Sequence, residues 1–279
     1  MKKILAPTDF SETANSALRY AFGLAAFTGM GITILHVFHF LIPTNIPSFE
    51  YKEAIKIGEL QKEKEIKLQL NKFINSIPGS DKVNFSIHAK YGFAAEKIAL
   101  VAELEMADII IMGTKGNTGI KKLLMGSVAS EVIQKANCPV MIISKGIIFQ
   151  PPKKIVFATD FKEINNYSAL KGLRDLAIMF NAKVTVLHVH NKGEKELAPV
   201  GEKEEWNIEN FLPGICPTYQ FIEDGKLAPA IENFARSTKA DILAVMPQEH
   251  NFFINHFGNS VSKELIPIAE QPLLAIKNK

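Results

Sequence analysis

The chain repeats itself, and this duplication restricts its possible folds more than any other feature. Four stretches of the first half return in the same order in the second half. They are Ile4 to Phe10 with Ile155 to Phe161, Ile32 to Val37 with Val184 to Val189, Ala107 to Ile110 with Ala240 to Leu243, and Cys138 to Ile143 with Gln271 to Ile276. A repeat of this length is a duplicated domain rather than a solenoid unit. We therefore predict two domains, 1–146 and 153–279, with a linker over 147–153.

Short apolar strands alternate with helical patterns in each half. In the first half, strands are predicted at Ile4 to Ala6, Ile32 to Phe38, Val83 to His88, Ile109 to Met112 and Val140 to Ile143. Helices are predicted from a start at Asp9 or Ser11 to a stop at Gly29 to Gly31, over residues 52 to 76 and 94 to 105, and from a start near Gly126 or Ser127. Strands and helices in this alternation form parallel sheets that are covered on both faces. The predicted fold class is therefore α/β, with two doubly wound, five-stranded, mostly parallel sheets in a tandem repeat.

Residues 107–128 combine a strand, a glycine-marked loop and a helix start. The apolar run Ile109 to Met112 ends at Gly113, Gly116 follows, and Gly126-Ser127 precede a helical pattern. Glycines let backbone N–H groups approach a phosphate, and the first N–H groups of a helix carry partial positive charge. Such a loop also lies where doubly wound sheets bind ligands, beyond the carboxyl ends of the strands. On these residues alone, an anion site and an ordinary strand-to-helix turn both remain open.

The spacing Gly113-x2-Gly116-x9-Gly126-Ser127 resembles the ATP-binding signature of the universal stress protein family. Ile4 to Ser11 resembles that family's first strand and turn, Leu35-His36-Val37 its second strand, and Cys138 to Ile143 its last strand. With the duplication, the resemblance covers nearly the whole chain and implies a tandem member built of Rossmann-like, adenine-nucleotide-binding domains. It implies ATP, or ADP or AMP, with magnesium or manganese on the phosphates. The residues expected to hold the nucleotide are Pro7, Thr8, Asp9, Val37, Met112, Gly113, Gly116, Gly126, Ser127 and Val128.

The resemblance also implies a role for individual residues. It places the backbone of Val37 at the adenine, Asp9 at the ribose, the phosphates or a metal, and the glycines with Ser127 and Val128 around the phosphates. Without it, Asp9 is a residue that caps the first helix and Val37 is a strand valine; capping and ligand contact are compatible. His36 and His188 occupy the same place in both repeats, which predicts a shared structural role. We assign no catalytic residue and no metal ligand.

The second repeat predicts a degenerate site. Aligning the halves on their final strands gives Pro247 for Gly113, His250 for Gly116, Asn259 for Gly126 and Ser260 for Ser127, with one residue lost in the loop. Proline offers no N–H to a phosphate, and histidine adds bulk where the backbone should approach closely. We therefore expect one competent nucleotide site in each chain and a shortened, structural second domain.

Composition excludes several classes of partner. The net charge of +3 is too small to indicate nucleic acid or an anionic membrane as the main partner. No apolar stretch approaches the roughly 20 residues of a membrane helix. The two cysteines cannot form a disulfide framework, which favours a reducing compartment, and we expect the cytoplasm.

Three functional hypotheses remain. The first is a stress-response protein that binds ATP and changes conformation or assembly. The second is an enzyme, either a slow ATP hydrolase or an ATP pyrophosphatase, although Pro7-Thr8-Asp9-Phe10 lacks the glycines that a pyrophosphatase loop requires and no Walker-type Gly-x4-Gly-Lys-Ser/Thr is present. The third is an interaction module without nucleotide. The resemblance implies that the final strands, Val140 to Ile143 and Leu273 to Ile276, meet and join the two repeats within one chain. Further association into a homodimer is left open.

Overall fold

The computed structural model describes residues 1–39, 48–114, 126–161, 167–190, 208–247 and 270–277. The strands of the first repeat are β1 (Lys3–Pro7), β2 (Gly31–Phe38), β3 (Phe85–Tyr91), β4 (Ile109–Gly113) and β5 (Val140–Ile143), and its helices are α1 (Glu12–Thr28), α2 (Ser48–Ile74), α3 (Ala94–Leu104) and α4 (Ser127–Lys135). The second repeat has strands β6 (Lys154–Ala158), β7 (Lys183–His190), β8 (Thr218–Glu223), β9 (Ile242–Val245) and β10 (Leu273–Ala275), with helices α5 (Tyr167–Phe180) and α6 (Leu227–Ser237). Short 3₁₀ helices cover Ser80–Lys82 and Ile208–Phe211.

Local signals explain where the first elements begin and end. The Ser11 hydroxyl accepts a hydrogen bond from the Ala14 N–H at 3.2 Å and caps α1. Gly29, with φ of 75°, ends the helix in the left-handed conformation that glycine adopts readily. Two predicted boundaries were wrong: α2 runs over Ser48–Ile74 rather than 52 to 76, and β3 over Phe85–Tyr91 rather than Val83 to His88. The second difference arises because Val83 closes the preceding 3₁₀ helix.

The described strands form one ten-stranded sheet, in the order β3-β2-β1-β4-β5-β10-β9-β6-β7-β8. Pairing is parallel within each repeat, so each half keeps the predicted doubly wound order. At the centre, β5 and β10 pair antiparallel, with Met141 opposite Leu274. The final strands therefore pair as the resemblance implied, and the two five-stranded sheets that the sequence predicted are one continuous sheet. The physical reason is that each final strand is fully apolar and buried, and an unpaired apolar edge would be exposed to association.

Buried side chains form a layer on each face of the sheet. Along β1, Ile4 and Ala6 belong to the layer covered by α1, α2 and α5, whereas Leu5 belongs to the layer covered by α3, α4 and α6. This alternation is the two-residue period of a strand. Both layers contain residues of both repeats, so the halves share one continuous core across the β5–β10 junction.

The order of the first five strands also creates a crevice. The strand that follows β1 in sequence lies on one side of it and β4 lies on the other, so the strand order reverses between β1 and β4. The connections that leave the carboxyl ends of these two strands therefore diverge, which opens a crevice at the edge of the sheet. The loop after Pro7 and the loop after Gly113 border this crevice.

Candidate functional site

Three hydrogen bonds fix the loop after β1 at Thr8. The Thr8 N–H donates to the Leu35 carbonyl at 2.9 Å, and the Thr8 hydroxyl accepts from the Phe10 N–H at 3.2 Å. The Thr8 carbonyl accepts a hydrogen bond from Nδ1 of His36 at 2.7 Å. Because a carbonyl can only accept, Nδ1 carries the proton. Phe10 adopts a φ of 63° and packs its ring 4.8 Å from the imidazole. The loop is therefore held in one conformation from the side of β2.

The imidazole of His36 has a structural role, as the sequence predicted. Burial lowers the pKa of His36 below its usual value, against the opposing effects of the Thr8 carbonyl and the Asp9 carboxylate. Burial favours the neutral form, which still donates from Nδ1. His188 makes the same contact in the second repeat, where its Nδ1 lies 2.9 Å from the Thr159 carbonyl.

Asp9 shapes the start of α1 and also borders the crevice. Its Oδ1 accepts a hydrogen bond from the Ser11 N–H at 3.0 Å, and Ser11 in turn caps the helix. The Asp9 side chain is also one wall of the cleft described below. The two roles considered for Asp9 from the sequence are thus geometrically compatible, and its contact with a ligand stays a prediction.

Gly113 allows a close approach between β4 and α1. A Cβ atom at this position would lie 2.7 Å from the Thr13 carbonyl carbon and 2.8 Å from the Ala14 nitrogen. Real Cβ atoms do not approach backbone atoms this closely, so any other residue would displace the first turn of α1. Gly113 is therefore required by packing as well as by the geometry expected of a phosphate site.

Gly126 begins the second half of the glycine site. Its N–H donates to the Thr114 carbonyl at 3.0 Å, which brings the two described ends of the loop together. Its backbone, with φ of −60° and ψ of 142°, is extended, a conformation open to other residues, so the backbone angles do not require glycine at position 126. As the N-cap of α4 it supplies no side-chain acceptor, so the first N–H groups of the helix, at Ser127 and Val128, lack a side-chain cap.

One cleft of about 240 Å³ collects these features. Nine of the residues expected at the nucleotide line it: Pro7, Thr8, Asp9, Val37, Met112, Gly113, Gly126, Ser127 and Val128. Gly116 and the lysines Lys115, Lys121 and Lys122 lie outside the described residues. Sequence reasoning missed six lining residues, namely Ala14, Leu35, Ala94, Ile98, Thr114 and Ala129. Ala94 and Ile98 were predicted only as members of a helix over residues 94 to 105, although that helix begins at the same edge of the sheet.

The walls of the cleft suit a molecule with an apolar plane and an anionic end. Val37, Ile98 and Met112 supply apolar surface, and Asp9 is the only charged residue among the described lining. Attraction for an anion comes from the N-terminus of α4, whose N–H groups point out of the helix end. Asp9 can accept hydrogen bonds from hydroxyl groups. The described residues contain no group of three or more His, Cys, Asp or Glu able to hold a metal ion.

The second repeat keeps the conformation of the loop after its first strand but has a different residue at the position of Gly113. Thr159 accepts from the Phe161 N–H at 3.1 Å, and Phe161 has a φ of 62°. The strand registers, however, correct the alignment made from sequence. Ile4 pairs with Ile109 and Ile155 with Ile242, which makes Met246 the counterpart of Gly113 and Pro247 the counterpart of Thr114.

This correction removes the inferred deletion. The same number of residues now separates Gly113 from Gly126 and Met246 from Asn259, so no residue is lost in the loop. Met246 is partly buried and packs on the core layer of α1 and α5. His250, Asn259 and Ser260 lie outside the described residues.

Across the described part of the chain, no helix is both long and apolar enough to cross a membrane.

Comparison with known proteins places both repeats in one family. A family model described as the universal stress protein family matches residues 1–144 and 151–277. A universal stress protein of Methanocaldococcus jannaschii is 35% identical over 162 residues, which cover 52% of this chain and 95% of that protein. One of Mycobacterium tuberculosis is 20% identical over 293 residues, which cover 98% of this chain and 96% of that protein.

A solved structure shows the same fold over the whole chain. It is a universal stress protein from Archaeoglobus fulgidus, with a TM-score of 0.71 and 20% sequence identity. The match covers 99% of this chain and 98% of that one, so the tandem arrangement of repeats is shared.

Proposed function

Because the chain belongs to the universal stress protein family, we propose that it is an ATP-binding protein of the stress response, with one nucleotide site in its first repeat. The observation that supports this proposal is the single cleft lined by nine of the residues expected to hold the nucleotide. Those residues come from β1, β2, β4 and α4, which are far apart in sequence. Their convergence at the strand-order reversal is what a nucleotide site on this fold requires.

Each part of the nucleotide has a chemically suitable partner in the cleft. The adenine would lie on the apolar surface near Val37, within reach of backbone groups at the end of β2. The ribose hydroxyls would donate to the Asp9 carboxylate. The phosphates would lie against the N–H groups of Ser127 and Val128, where Gly113 and Gly126 leave room. Magnesium or manganese would be held mainly by the phosphates, since Asp9 is the only carboxylate among the described lining.

We propose that bound nucleotide acts by changing conformation or assembly rather than by turnover. Gly113 touches the first turn of α1, and Gly126 begins α4, so the proposed phosphate position joins two helices that cover opposite faces of the sheet. Nucleotide can shift only an equilibrium between states that bind it differently. We place this activity in the cytoplasm, because two cysteines are too few for the disulfide framework of a secreted domain. We propose adenine nucleotide and a second copy of the chain as partners.

Calorimetric titration of the full chain with ATP and magnesium tests the site count. We expect close to one ATP for each chain, and mass spectrometry of the denatured protein should identify an adenine nucleotide if one is retained. Two equivalent sites, or no binding, would contradict the proposal. Phosphate release measured on the same sample separates a binder from a slow hydrolase, because a hydrolase turns over under saturating ATP.

A further inference from the structure

Two aromatic side chains lie next to residues that line the cleft of the first repeat. Leu35 and Val37 line the cleft from alternate positions of β2, and His39 follows two residues later, just beyond the end of the strand. Phe93 immediately precedes Ala94, which lines the cleft at the start of α3. The rings of His39 and Phe93 meet edge to face, with their centroids 5.6 Å apart. This aromatic pair, His39 and Phe93, therefore borders the cleft where the end of β2 meets the start of α3.

Contacts between the ends of β2 and β3 hold the aromatic pair in place. The Gly92 N–H donates to the Phe38 carbonyl at 3.2 Å. Gly92 has a φ of 136°, which glycine adopts more readily than other residues, and this turn brings Phe93 to the end of β2. The Tyr91 ring lies 5.7 Å from the His39 ring and 6.2 Å from that of Phe38. The position of the pair is thus set by the sheet and by the turn that leads into α3.

Neither helix capping nor core packing explains a phenylalanine at position 93. Phe93 is the N-cap of α3, where its side chain makes no capping hydrogen bond and where small polar residues are preferred. The residue is also 71% exposed, so it adds little to the core. Aromatic side chains at a pocket commonly supply contact area for its ligand. A role in binding accounts for both the residue type and its exposure.

The second repeat has a lysine at the equivalent position. Gly92 and Gly225 lie at the same distance before β4 and β9, and each precedes the N-cap of the next helix. This alignment makes Lys226, the N-cap of α6, the counterpart of Phe93. The exposed ring therefore occurs in the repeat that has the glycine signature, and a charged side chain replaces it in the other repeat.

We propose that Phe93 stacks on the base of the bound nucleotide and makes the site selective for purines. This inference rests on the ATP site proposed above and adds to it a residue outside the glycine signature. The base would lie near Val37, at the end of the cleft that the aromatic pair borders. A purine offers a larger π surface than a pyrimidine, so stacking on Phe93 favours ATP over CTP. His39 is a positioning residue, because its edge-to-face contact orients the Phe93 ring.

Displacement of a fluorescent ATP analogue from the full chain, by ATP and separately by CTP, tests this role. Phe93→Ser should weaken ATP binding about tenfold through loss of base–aromatic stacking, and should weaken CTP binding less. The preference for ATP over CTP should therefore fall in the variant. Serine is a favoured N-cap residue, so the melting temperature should stay the same or rise, whereas a structural role of Phe93 would lower it.

Two further substitutions separate stacking from general loss of apolar surface. Leu104→Ser is the matched control, because Leu104 is also 71% exposed but lies at the opposite end of α3, and it should leave ATP affinity unchanged. His39→Ala should weaken ATP binding about threefold, and His39→Phe, which keeps an edge-to-face partner for Phe93, should restore it.

The outcomes distinguish this inference from the proposed function. Unchanged ATP affinity in Phe93→Ser, or an equal loss of ATP and CTP affinity, would overturn the stacking role while the ATP site itself stands. An equal effect of Leu104→Ser and Phe93→Ser would overturn it as well. If the unmodified chain binds no nucleotide, the proposed function fails and this inference fails with it.

Discussion

The two repeats share the loop after their first strand and differ at the end of their fourth. Thr8 and Thr159 each accept a hydrogen bond from the residue two positions later, and His36 and His188 each bind the carbonyl of that threonine. Gly113, in contrast, is replaced by Met246. The Thr-Asp-Phe loop is therefore held by the same contacts in both halves, and the loop alone does not distinguish the two repeats.

The glycine position carries the information that distinguishes the repeats. Gly113 packs closely on the α1 backbone and lines the cleft proposed for the nucleotide, so both packing and the proposed binding depend on it. Met246 instead places its side chain in the core layer. This difference between the repeats predicts which substitutions remove ATP binding and which only lower the free energy of unfolding.

The largest effect is expected when Gly113 is replaced by methionine, the residue at the equivalent position of the second repeat. Gly113→Met should abolish measurable ATP binding and lower the free energy of unfolding by about 1–3 kcal/mol, because the new side chain displaces the first turn of α1. Calorimetric titration and urea unfolding measure the two quantities. The reciprocal Met246→Gly should leave the ATP stoichiometry unchanged. A Gly113→Met chain that binds ATP with wild-type affinity would contradict the role assigned to this position.

Gly126→Val should separate binding from folding. Its extended backbone accommodates valine, and loss of a favourable N-cap residue should lower stability by only about 1 kcal/mol. The branched side chain would crowd the phosphate position, so the Kd for ATP should rise by about tenfold or more. Asn259→Val, at the equivalent place in the sequence, is the matched control and should not affect ATP. Unchanged affinity in a folded Gly126→Val protein would remove this loop from the site.

The two histidines offer a duplicated test of a positioning role. His36→Ala and His188→Ala each delete one hydrogen bond to a partly buried loop carbonyl, at 2.7 and 2.9 Å, and should each lower stability by about 1 kcal/mol. Only His36→Ala should also weaken ATP binding, by about fivefold, or roughly 1 kcal/mol. Thermal unfolding and titration of both variants provide the measurements. Equal effects on ATP affinity would mean that the loop matters only through stability.

The smallest effect concerns the contribution of the Asp108 carboxylate to thermal stability at acid pH. Partial burial opposes ionisation of Asp108, but hydrogen bonds from the Lys2 and Lys3 N–H groups outweigh it and lower its pKa. A depressed pKa contributes stability above the unfolded value of about 3.9, and this contribution is lost as the pH falls through the folded value. Asp108→Asn should therefore flatten the loss of thermal stability below about pH 4.

The equivalent substitution in the second repeat, at Asp241, is the control for that measurement. Asp241→Asn removes the equivalent clamp from β6, so its change in melting temperature at pH 7 gives the size of the structural loss alone. If the melting temperature of Asp108→Asn falls as steeply at acid pH as that of the unmodified chain, the role assigned to the Asp108 carboxylate is contradicted.

The sequence by itself determined the duplication, the family, the doubly wound order within each repeat and nine of the residues that line the cleft. These follow from local patterns, since strand periodicity, glycine spacing and helix-cap residues act over a few positions. The shared role of His36 and His188 was also visible, because duplication aligned them without any knowledge of their contacts.

Only the tertiary structure decided how these parts join. The family resemblance implied that β5 and β10 meet, but no local signal encodes how strands more than a hundred residues apart pair. The antiparallel register, with Met141 opposite Leu274, and the continuous ten-stranded sheet came only from the structure. The need for glycine at position 113 lies in the α1 backbone, and the true counterpart of that glycine, Met246, emerged only from strand register. Ala94 and Ile98 line the cleft because α3 begins at the same edge of the sheet as the loops that follow β1 and β4. The distances between these segments are set by packing rather than by sequence spacing.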